Sequence, residues 1–368
     1  MKEKLESIDK KKLLYLGGGL VAIILVFLIF NIIGTKLFSK SSYDEIENIM
    51  KNAAIKYYKD NESDLPKENG GSKEVDDSTL TEKKYMKSME KLLNDKNKSC
   101  TGKVRVTNVN NNYKYTPILD CGKDYTTSSF IDYLKKNTQV VGTGDGLYSV
   151  NGQMVYRGEN INNYVTLNNK TFRIVKLEEN DVVLILIDKL TSTDWDNRYN
   201  SEKKSKVGIN EYGISRINDY LQDLYNGDDF LTSENKLLLA SYSVPIGKRD
   251  DSSTDKSGES ENAEVYENQY IGLLPVYDFL NASLDENCVT STSTACVNYN
   301  YLVKFDRSYW TSTADINTTY KVYKIDTGMG VELSTASSNA AVQPVIHISR
   351  DAMYVSGDGS KDNPYKIK

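Results

Sequence analysis

A run of 21 uncharged residues from Leu13 to Ile33 constrains this chain more than any other feature. As an α-helix it would extend about 31 Å, which matches the hydrocarbon core of a bilayer. The run is apolar on every face, whereas a helix of a soluble core is normally amphipathic. We therefore predict an uncleaved transmembrane anchor over 13–34, with the lipid bilayer as its partner. A cleaved signal peptide and prepilin-type processing are the alternatives.

The charges on either side of this run predict its orientation. Residues 1–12 carry five lysines, whereas the first fifteen residues after Ile33 carry only Lys36 and Lys40. Because positive charge is retained in the cytoplasm, we expect 1–12 to be a cytoplasmic tail. The sequence thus predicts a single-pass cell-membrane protein whose C-terminal domains are extracellular.

The four cysteines form two local pairs, and an extracellular location would oxidise them. Two alternating runs lie between Cys100 and Cys121, on either side of Asn110–Asn112, a turn of residues that tolerate positive φ. An antiparallel hairpin would bring these two cysteines together at its open end. We predict this disulfide and a second one between Cys288 and Cys296. Neither spacing resembles the Cys-x-x-Cys pairs of a zinc site.

Residues 41–126 are predicted to form a small disulfide-containing α+β domain. Ser42–Glu45 has the form of a capping box, and the apolar positions after it recur at helical spacing. A polar stretch over 62–78 predicts a loop, and a second helix is expected over 79–93, before the hairpin. Residues 127–146 are interpreted as a connector.

Residues 147–368 are rich in short strand-like runs separated by Asn and Gly. Residues 182–187 are apolar at both odd and even positions, which predicts a central strand covered on two faces. Helices are expected over 215–225 and 233–241. The polar segment 249–268 is interpreted as a mobile surface loop in preference to a lid.

Several motifs of this region occur in a familiar order. They are FRIVKLEENDVVLILID, SRINDYL, LLPVYDFLNAS, YWTST, AAVQPVIHIS and the terminal GDGSKDNPYKI. In this order the region resembles a C-type-lectin-like fold, in the branch shared with formylglycine-generating-enzyme-like domains and with modules of Gram-positive bacterial surface proteins. The resemblance implies an α+β domain rich in short antiparallel strands that displays loops. It also implies that Trp310 and His347 are structural.

The metal chemistry of the related proteins does not carry over to these residues. Formylglycine-generating enzymes hold copper with two cysteines, whereas Cys288 and Cys296 lie in a Thr/Ser-rich loop typical of a disulfide. Sugar-binding C-type lectins hold calcium with Glu-Pro-Asn or Gln-Pro-Asp, and Gln343–Val345 is Gln-Pro-Val. We therefore predict no cofactor and no metal site.

Two polar segments are candidates for ligand binding. One places an aromatic residue among charged and amide groups, a mixture common in protein and sugar sites, and the other flanks the Trp310 strand. The candidate residues are Trp195, Asp196, Asn197, Arg198, Tyr199, Asp315 and Asn317. Both segments are also typical of loops that bind nothing. The alternating Asp358, Ser360 and Asp362 are interpreted as a turn.

The composition excludes some classes of function. A net charge of −5, with no Lys/Arg-rich domain, argues against nucleic-acid binding, and a single histidine excludes a multi-histidine zinc site. Nucleophile motifs such as Gly-x-Ser-x-Gly are missing. We expect a non-catalytic adhesion or recognition module for an extracellular protein or glycan. A pilin-like or envelope-assembly component is the alternative, and a cell-surface enzyme is the third.

Overall fold

The computed structural model describes residues 41–95, 99–109, 111–150 and 152–368. Its contacts divide the chain into two compact units, the first ending at Thr127 and the second covering Ser128–Lys368. We call them the smaller and the larger unit. The tail predicted over 1–12 and the anchor predicted over 13–34 lie outside the described residues.

The fold class needs a correction. The sequence predicted a transmembrane helix followed by α+β domains, but no helix within the described ranges has both the length and the apolar content to cross a bilayer. The longest of these helices, Tyr43–Asp60, has a buried apolar stripe and also carries several lysines and acidic residues. The fold class of the described chain is therefore α+β with many short strands.

The smaller unit combines short helices with one sheet. Its elements are α1 (Tyr43–Asp60), a 3-10 turn (Glu62–Asp64), β1 (Ser72–Asp76), α2 (Asp77–Glu82), α3 (Met89–Leu93), β2 (Thr101–Val109) and β3 (Asn112–Asp120). The predicted capping box is present, since Ser42 Oγ accepts from the Glu45 amide and Glu45 accepts from the Ser42 amide. The single helix predicted over 79–93 is wrong, because Lys84 takes a left-handed conformation (φ 65°) and divides it. The predicted 62–78 loop contains β1.

The predicted hairpin and its disulfide are confirmed. β2 and β3 pair in antiparallel register from Thr101 opposite Asp120 to Val109 opposite Asn112. Cys100 and Cys121 follow directly at the open end and are joined by a disulfide. The core of this unit forms where α1 covers the sheet with buried Ile46, Met50 and Ala54. The apolar stripe of α1 and the buried residues of the strands therefore pack together in one core.

The larger unit is built mainly from strands. Its helices are α4 (Phe130–Asn137), α5 (Arg216–Asn226), α6 (Ser233–Lys236), α7 (Glu259–Asn262) and α8 (Val276–Ala282), with 3-10 turns at Tyr212–Ile214, Thr294–Val297 and Tyr301–Val303. Its strands are β4 (Gly146–Val150), β5 (Gln153–Arg157), β6 (Tyr164–Leu167), β7 (Lys170–Leu177), β8 (Asp181–Leu186), β9 (Thr191–Asp194), β10 (Leu239–Ala240), β11 (Tyr242–Pro245), β12 (Lys248–Arg249), β13 (Val265–Gln269), β14 (Tyr309–Asp315), β15 (Lys321–Asp326), β16 (Gly330–Thr335), β17 (Asn339–Val342), β18 (Val345–Ser349), β19 (Tyr354–Ser356) and β20 (Tyr365–Ile367).

The main sheet has the strand order β10-β18-β8-β7-β6-β20-β19, and β4 and β5 extend it beside β7. β8 lies between β7 and β18, and its residues 182–186 are all buried. The predicted central strand is thus confirmed. Its neighbour β18 comes from a part of the chain more than 150 residues later.

A second sheet has the order β16-β15-β14-β17-β9, with β12 beside β14. Its central strand β14 is buried along its whole length, and the Trp310 indole Nε1 donates to the Thr193 carbonyl at 2.8 Å. A separate pair, β11 and β13, completes the strands. The packing of Trp310 agrees with a structural role.

Two segments depart from their predicted form. The helix expected over 233–241 ends at Lys236, and residues 239–240 pair as β10 with β18. The segment 249–268 is not a bare surface loop, since it contains α7 and most of β13. Arg249 Nη1 and Glu261 Oε2, both fully buried, form an ion pair at 3.0 Å that secures this segment. The polar composition of this segment predicted a loop, because it gave no sign that Arg249 and Glu261 pair with each other inside the fold.

Candidate functional site

A cavity of about 240 Å³ opens in the larger unit beside the central strands of the main sheet. Its polar and charged lining residues are Gln153, Lys176, Glu178, Ser243, Asn262, Asp278 and His347. Its other lining residues are Val183, Tyr242, Pro245, Leu273, Pro275, Tyr277 and Val345. The lining comes from β5, β7, β8, β11, β18, the end of α7, the start of α8 and connecting segments, so the cavity exists only once distant strands have paired. We refer to it as the Lys176–His347 cavity.

Lys176 is the buried cation of this cavity. A register shift after Ile174 interrupts the β7–β8 pairing just before this lysine. Its Nζ lies 3.2 Å from Asp278 Oδ1 and 3.3 Å from Glu178 Oε1. It also donates to the Tyr277 hydroxyl at 3.0 Å. Three polar groups, two from α8 and one from the turn after β7, therefore meet around one ammonium.

The electrostatics of this cluster keep the lysine charged. Burial opposes the charge, but the Asp278 carboxylate, together with Tyr277 and Glu178, raises the pKa of Lys176 above its usual value. Burial and the charge of Asp278 raise the pKa of Tyr277 to about 12, so its hydroxyl keeps its proton at neutral pH. The ammonium is thus a fixed hydrogen-bond donor and a poor base or nucleophile.

His347, the single histidine of the chain, forms an aromatic wall with Tyr242. It lies on β18 opposite Val183 of β8 and Ala240 of β10. The imidazole and phenol rings stack at 3.7 Å between centroids with an interplanar angle of 11°. The cavity therefore combines a flat aromatic surface with charged groups, a mixture that suits a small polar ligand.

His347 also lies close to two carboxylates, that of Glu178 in the β7–β8 turn and that of Asp181 at the start of β8. Its Nδ1 lies 3.5 Å from Asp181 Oδ2 and 3.8 Å from Glu178 Oε2. This nitrogen is buried and has no hydrogen-bond partner among the described residues. Within the described part of the chain, Glu178, Asp181 and His347 are the residues grouped closely enough to hold a metal ion.

The residues predicted for ligand binding lie elsewhere in the larger unit, and none of them lines the Lys176–His347 cavity. Trp195 and Asp196 are fully buried, and the indole Nε1 of Trp195 donates to the Thr311 carbonyl at 3.2 Å. Asp196 Oδ1 pairs with Arg198 Nε at 2.8 Å. Asn197 is half-buried, whereas the Tyr199 side chain is 58% exposed.

The structure places the two predicted segments side by side. Asn210 Nδ2 donates to the carbonyl of Asp315 at 3.0 Å, and Asn200 Nδ2 donates to Thr319 Oγ1 at 3.0 Å. The Asp315 carboxylate is buried and accepts from its own turn, while Asn317 is exposed and donates to Asp250. Ligand binding by these residues stays a prediction.

Sequence reasoning missed the cluster around Lys176 and gave His347 a structural role only. Two signals were available: a lysine between the apolar residues Val175 and Leu177 of the strand FRIVKL, and the one histidine within the apolar run VIHI. A charged or titratable side chain in a buried strand needs a partner. Those partners can be identified only when the pairing of β18 with β8 and the position of α8 are known.

Comparison with known proteins gave no match: no family model, no curated protein and no solved structure is similar to this chain.

Proposed function

We propose that the chain is a non-catalytic recognition protein whose larger unit, a C-type-lectin-like module, binds one saccharide residue of an extracellular glycan in the Lys176–His347 cavity. The observation that carries the proposal is the composition of the cavity wall. The stacked rings of Tyr242 and His347 lie next to the carboxylates of Glu178 and Asp278 and the fixed ammonium of Lys176.

The size of the cavity sets the size of the ligand. Drug-sized ligands occupy pockets of about 300–1,000 Å³, and this cavity has about 240 Å³. It therefore suits a single six-membered ring better than an extended oligomer. A terminal or branching sugar residue, with the remainder of the glycan outside, fits this limit.

The chemistry of the wall suits a saccharide. A sugar ring has C–H groups on its faces, which pack on aromatic rings, and hydroxyl groups on its rim, which need acceptors and donors. Carboxylate oxygens, together with the amides of Gln153 and Asn262, supply acceptors and donors on the lining. Each hydroxyl that enters the cavity can then exchange its water for a protein partner.

The state of two charged groups supports a non-catalytic role. Lys176 is held as an ammonium by its neighbours, and Asp278 is engaged with that ammonium. Neither group is free to serve as the base or nucleophile of a reaction. The two disulfides favour an oxidising compartment, where extracellular glycans occur.

A glycan array probed with the full chain tests the proposal. Ser243 is exposed and lines the cavity, so S243W would fill the entrance without disturbing the core. Ser241, also exposed, is two residues away and outside the lining, so S241W is the matched control. We expect S243W to weaken saccharide binding at least tenfold and S241W to leave it unchanged.

Three results would overturn the proposal. One is an array on which no saccharide binds the full chain. Another is equal binding by the two tryptophan variants, because the ligand would then lie outside the cavity. The third is turnover of a bound saccharide, detected by mass spectrometry of the recovered glycan, because it would make the protein an enzyme.

A further inference from the structure

Glu178, Asp181 and His347 each present one ligand atom to a common point, and these atoms all lie within 4.8 Å of one another. We propose that the three side chains bind a divalent zinc ion at the edge of the Lys176–His347 cavity. This inference goes beyond the proposed function, since the ion needs no saccharide in order to bind.

The state of His347 is the first support. Its side chain is 6% exposed, and its Nδ1 is buried without a hydrogen-bond partner in the described residues. A buried polar nitrogen has lost its water and normally has a replacement. The groups nearest to this nitrogen are the Asp181 and Glu178 carboxylates, which are themselves metal ligands.

The distances are the second support. Ligand atoms about 2.0–2.2 Å from a tetrahedral zinc ion lie about 3.4 Å from one another. Nδ1 of His347 lies 3.5 Å from Asp181 Oδ2 and 3.8 Å from Glu178 Oε2. The two carboxylates are partly exposed, and the three ligand atoms all lie within 4.8 Å of one another, so rotation of these two side chains can close the remaining distance to a common ion.

The neighbouring charges hold Glu178 in place for this role. Its Oε1 lies toward Lys176 Nζ at 3.3 Å, while its Oε2 is the oxygen that faces His347. A partner on the second oxygen fixes the orientation of a ligating carboxylate. The positive charge of Lys176 is offset by Asp278 at 3.2 Å, which limits its repulsion of a cation.

The donor set selects the kind of ion. One imidazole nitrogen with two carboxylate oxygens suits zinc and similar first-row ions, whereas calcium and magnesium prefer oxygen ligands alone. Three protein ligands also leave a fourth position. Since Glu178 and His347 line the cavity, that position faces the cavity and is open to water or to a ligand.

The test uses the full chain, untagged and labelled with ¹⁵N only at histidine. Because the chain has one histidine, its two imidazole nitrogen signals are unambiguous. Addition of ZnCl₂ without any saccharide should move the Nδ1 resonance and saturate at one ion per chain. Equilibrium dialysis should give an affinity that falls at least tenfold in E178Q and in D181N.

The matched control is E179Q. Glu179 lies in the same turn, is exposed and carries the same charge, but it is outside the ligand set. Its zinc affinity should equal that of the unmodified chain. Failure of the unmodified chain to bind zinc would overturn the inference, as would an equal affinity in D181N and E179Q. Neither result bears on saccharide binding, which is measured without zinc.

Discussion

Lys176 Nζ lies 3.2 Å from Asp278 Oδ1, and the two side chains are only 5% and 2% exposed. An ion pair buried to this degree has lost nearly all of its water, and the attraction between the charges only offsets that loss. The energetic consequence is asymmetric. Removal of both charges changes stability little, whereas removal of one leaves an unpaired charge in the interior.

K176M is therefore expected to lower the free energy of unfolding of the larger unit by about 3–5 kcal/mol. K176M/D278N should recover part of that loss, because no unpaired charge remains. Both tryptophans, Trp195 and Trp310, lie in the larger unit, so urea unfolding followed by tryptophan fluorescence reports this unit alone. A loss below about 1 kcal/mol in K176M would contradict the buried pair.

Gly208 supports the turn that carries the predicted ligand-binding residues. It has φ 87°, and a Cβ atom there would lie 2.3 Å from the carbonyl oxygen of Asp196. Gly144 has φ 74° with open space around it. G144A should thus cost only the left-handed strain of about 1–2 kcal/mol, and G208A clearly more. Tryptophan-monitored unfolding measures the difference, and equal costs would show that the turn relaxes freely.

The two disulfides should differ in their reduction. Thiol exchange requires access of the attacking thiolate to a sulfur atom. Cys288 and Cys296 are fully buried, whereas Cys100 is 9% exposed and Cys121 is more exposed still. Mild dithiothreitol should therefore open Cys100–Cys121 first. Timed alkylation and peptide mass spectrometry give the order, and earlier labelling of Cys296 would refute it.

The reduced hairpin should also be less stable. Loss of a crosslink between residues 21 apart in sequence costs about 3 kcal/mol in the chain-entropy model. C100S/C121S is therefore expected to lower the thermal midpoint of the smaller unit, measured by circular dichroism. The midpoint of the larger unit, followed by tryptophan fluorescence, serves as the internal control and should not change.

The lowered pKa of Asp255 predicts that the free energy of unfolding decreases at acidic pH. Partial burial disfavours its charge, but hydrogen bonds from Ser257 and Ser260 outweigh this and lower its pKa to about 2. The pKa of an aspartate in the unfolded chain is about 3.9. Because the pKa of Asp255 is lower in the folded chain, its charge stabilises the folded state at pH values above about 3.9, and this stabilisation is lost as the pH falls toward 2. D255N should thus show a smaller fall in stability than the unmodified chain between pH 4 and pH 2.

Urea titrations at several pH values measure this difference. Above pH 5 the effect of pH on the two proteins should be the same, because the aspartate is ionised in both folded and unfolded chains. An unchanged acid slope in D255N would mean that other carboxylates carry the effect. Asp250, whose pKa is also lowered to about 2 by hydrogen bonds from Ser252 and Asn317 in the same unit, is the nearest comparison.

Local patterns in the sequence were sufficient for several elements of the fold. The capping box before α1, the Asn turn of the β2–β3 hairpin and the apolar run of β8 each depend on neighbouring residues only. The helix predicted over 215–225 is present as Arg216–Asn226, with Ser215 Oγ accepting from the Asn218 amide. In each case the signal and the structure lie within the same short segment.

Other elements depended on contacts that no local pattern contains. The helix predicted over 79–93 breaks at Lys84, although its apolar spacing was suitable. Segment 249–268 was predicted to be a surface loop because it is polar. Arg249 and Glu261 are nevertheless buried, since each is the ion-pair partner of the other. The cavity shows the same limit, since Lys176, Asp278 and His347 lie 69 to 171 residues apart in sequence and meet only through strand pairing and the position of α8.

The last strands of the chain occupy inner positions of the main sheet. β18 lies between β10 and β8, and β20 lies parallel to β6. During synthesis, β8 and β6 must therefore wait for neighbours that the ribosome produces more than 150 residues later. A nascent larger unit would expose those apolar strands until residue 367 has emerged, so it is expected to need protection from aggregation until then.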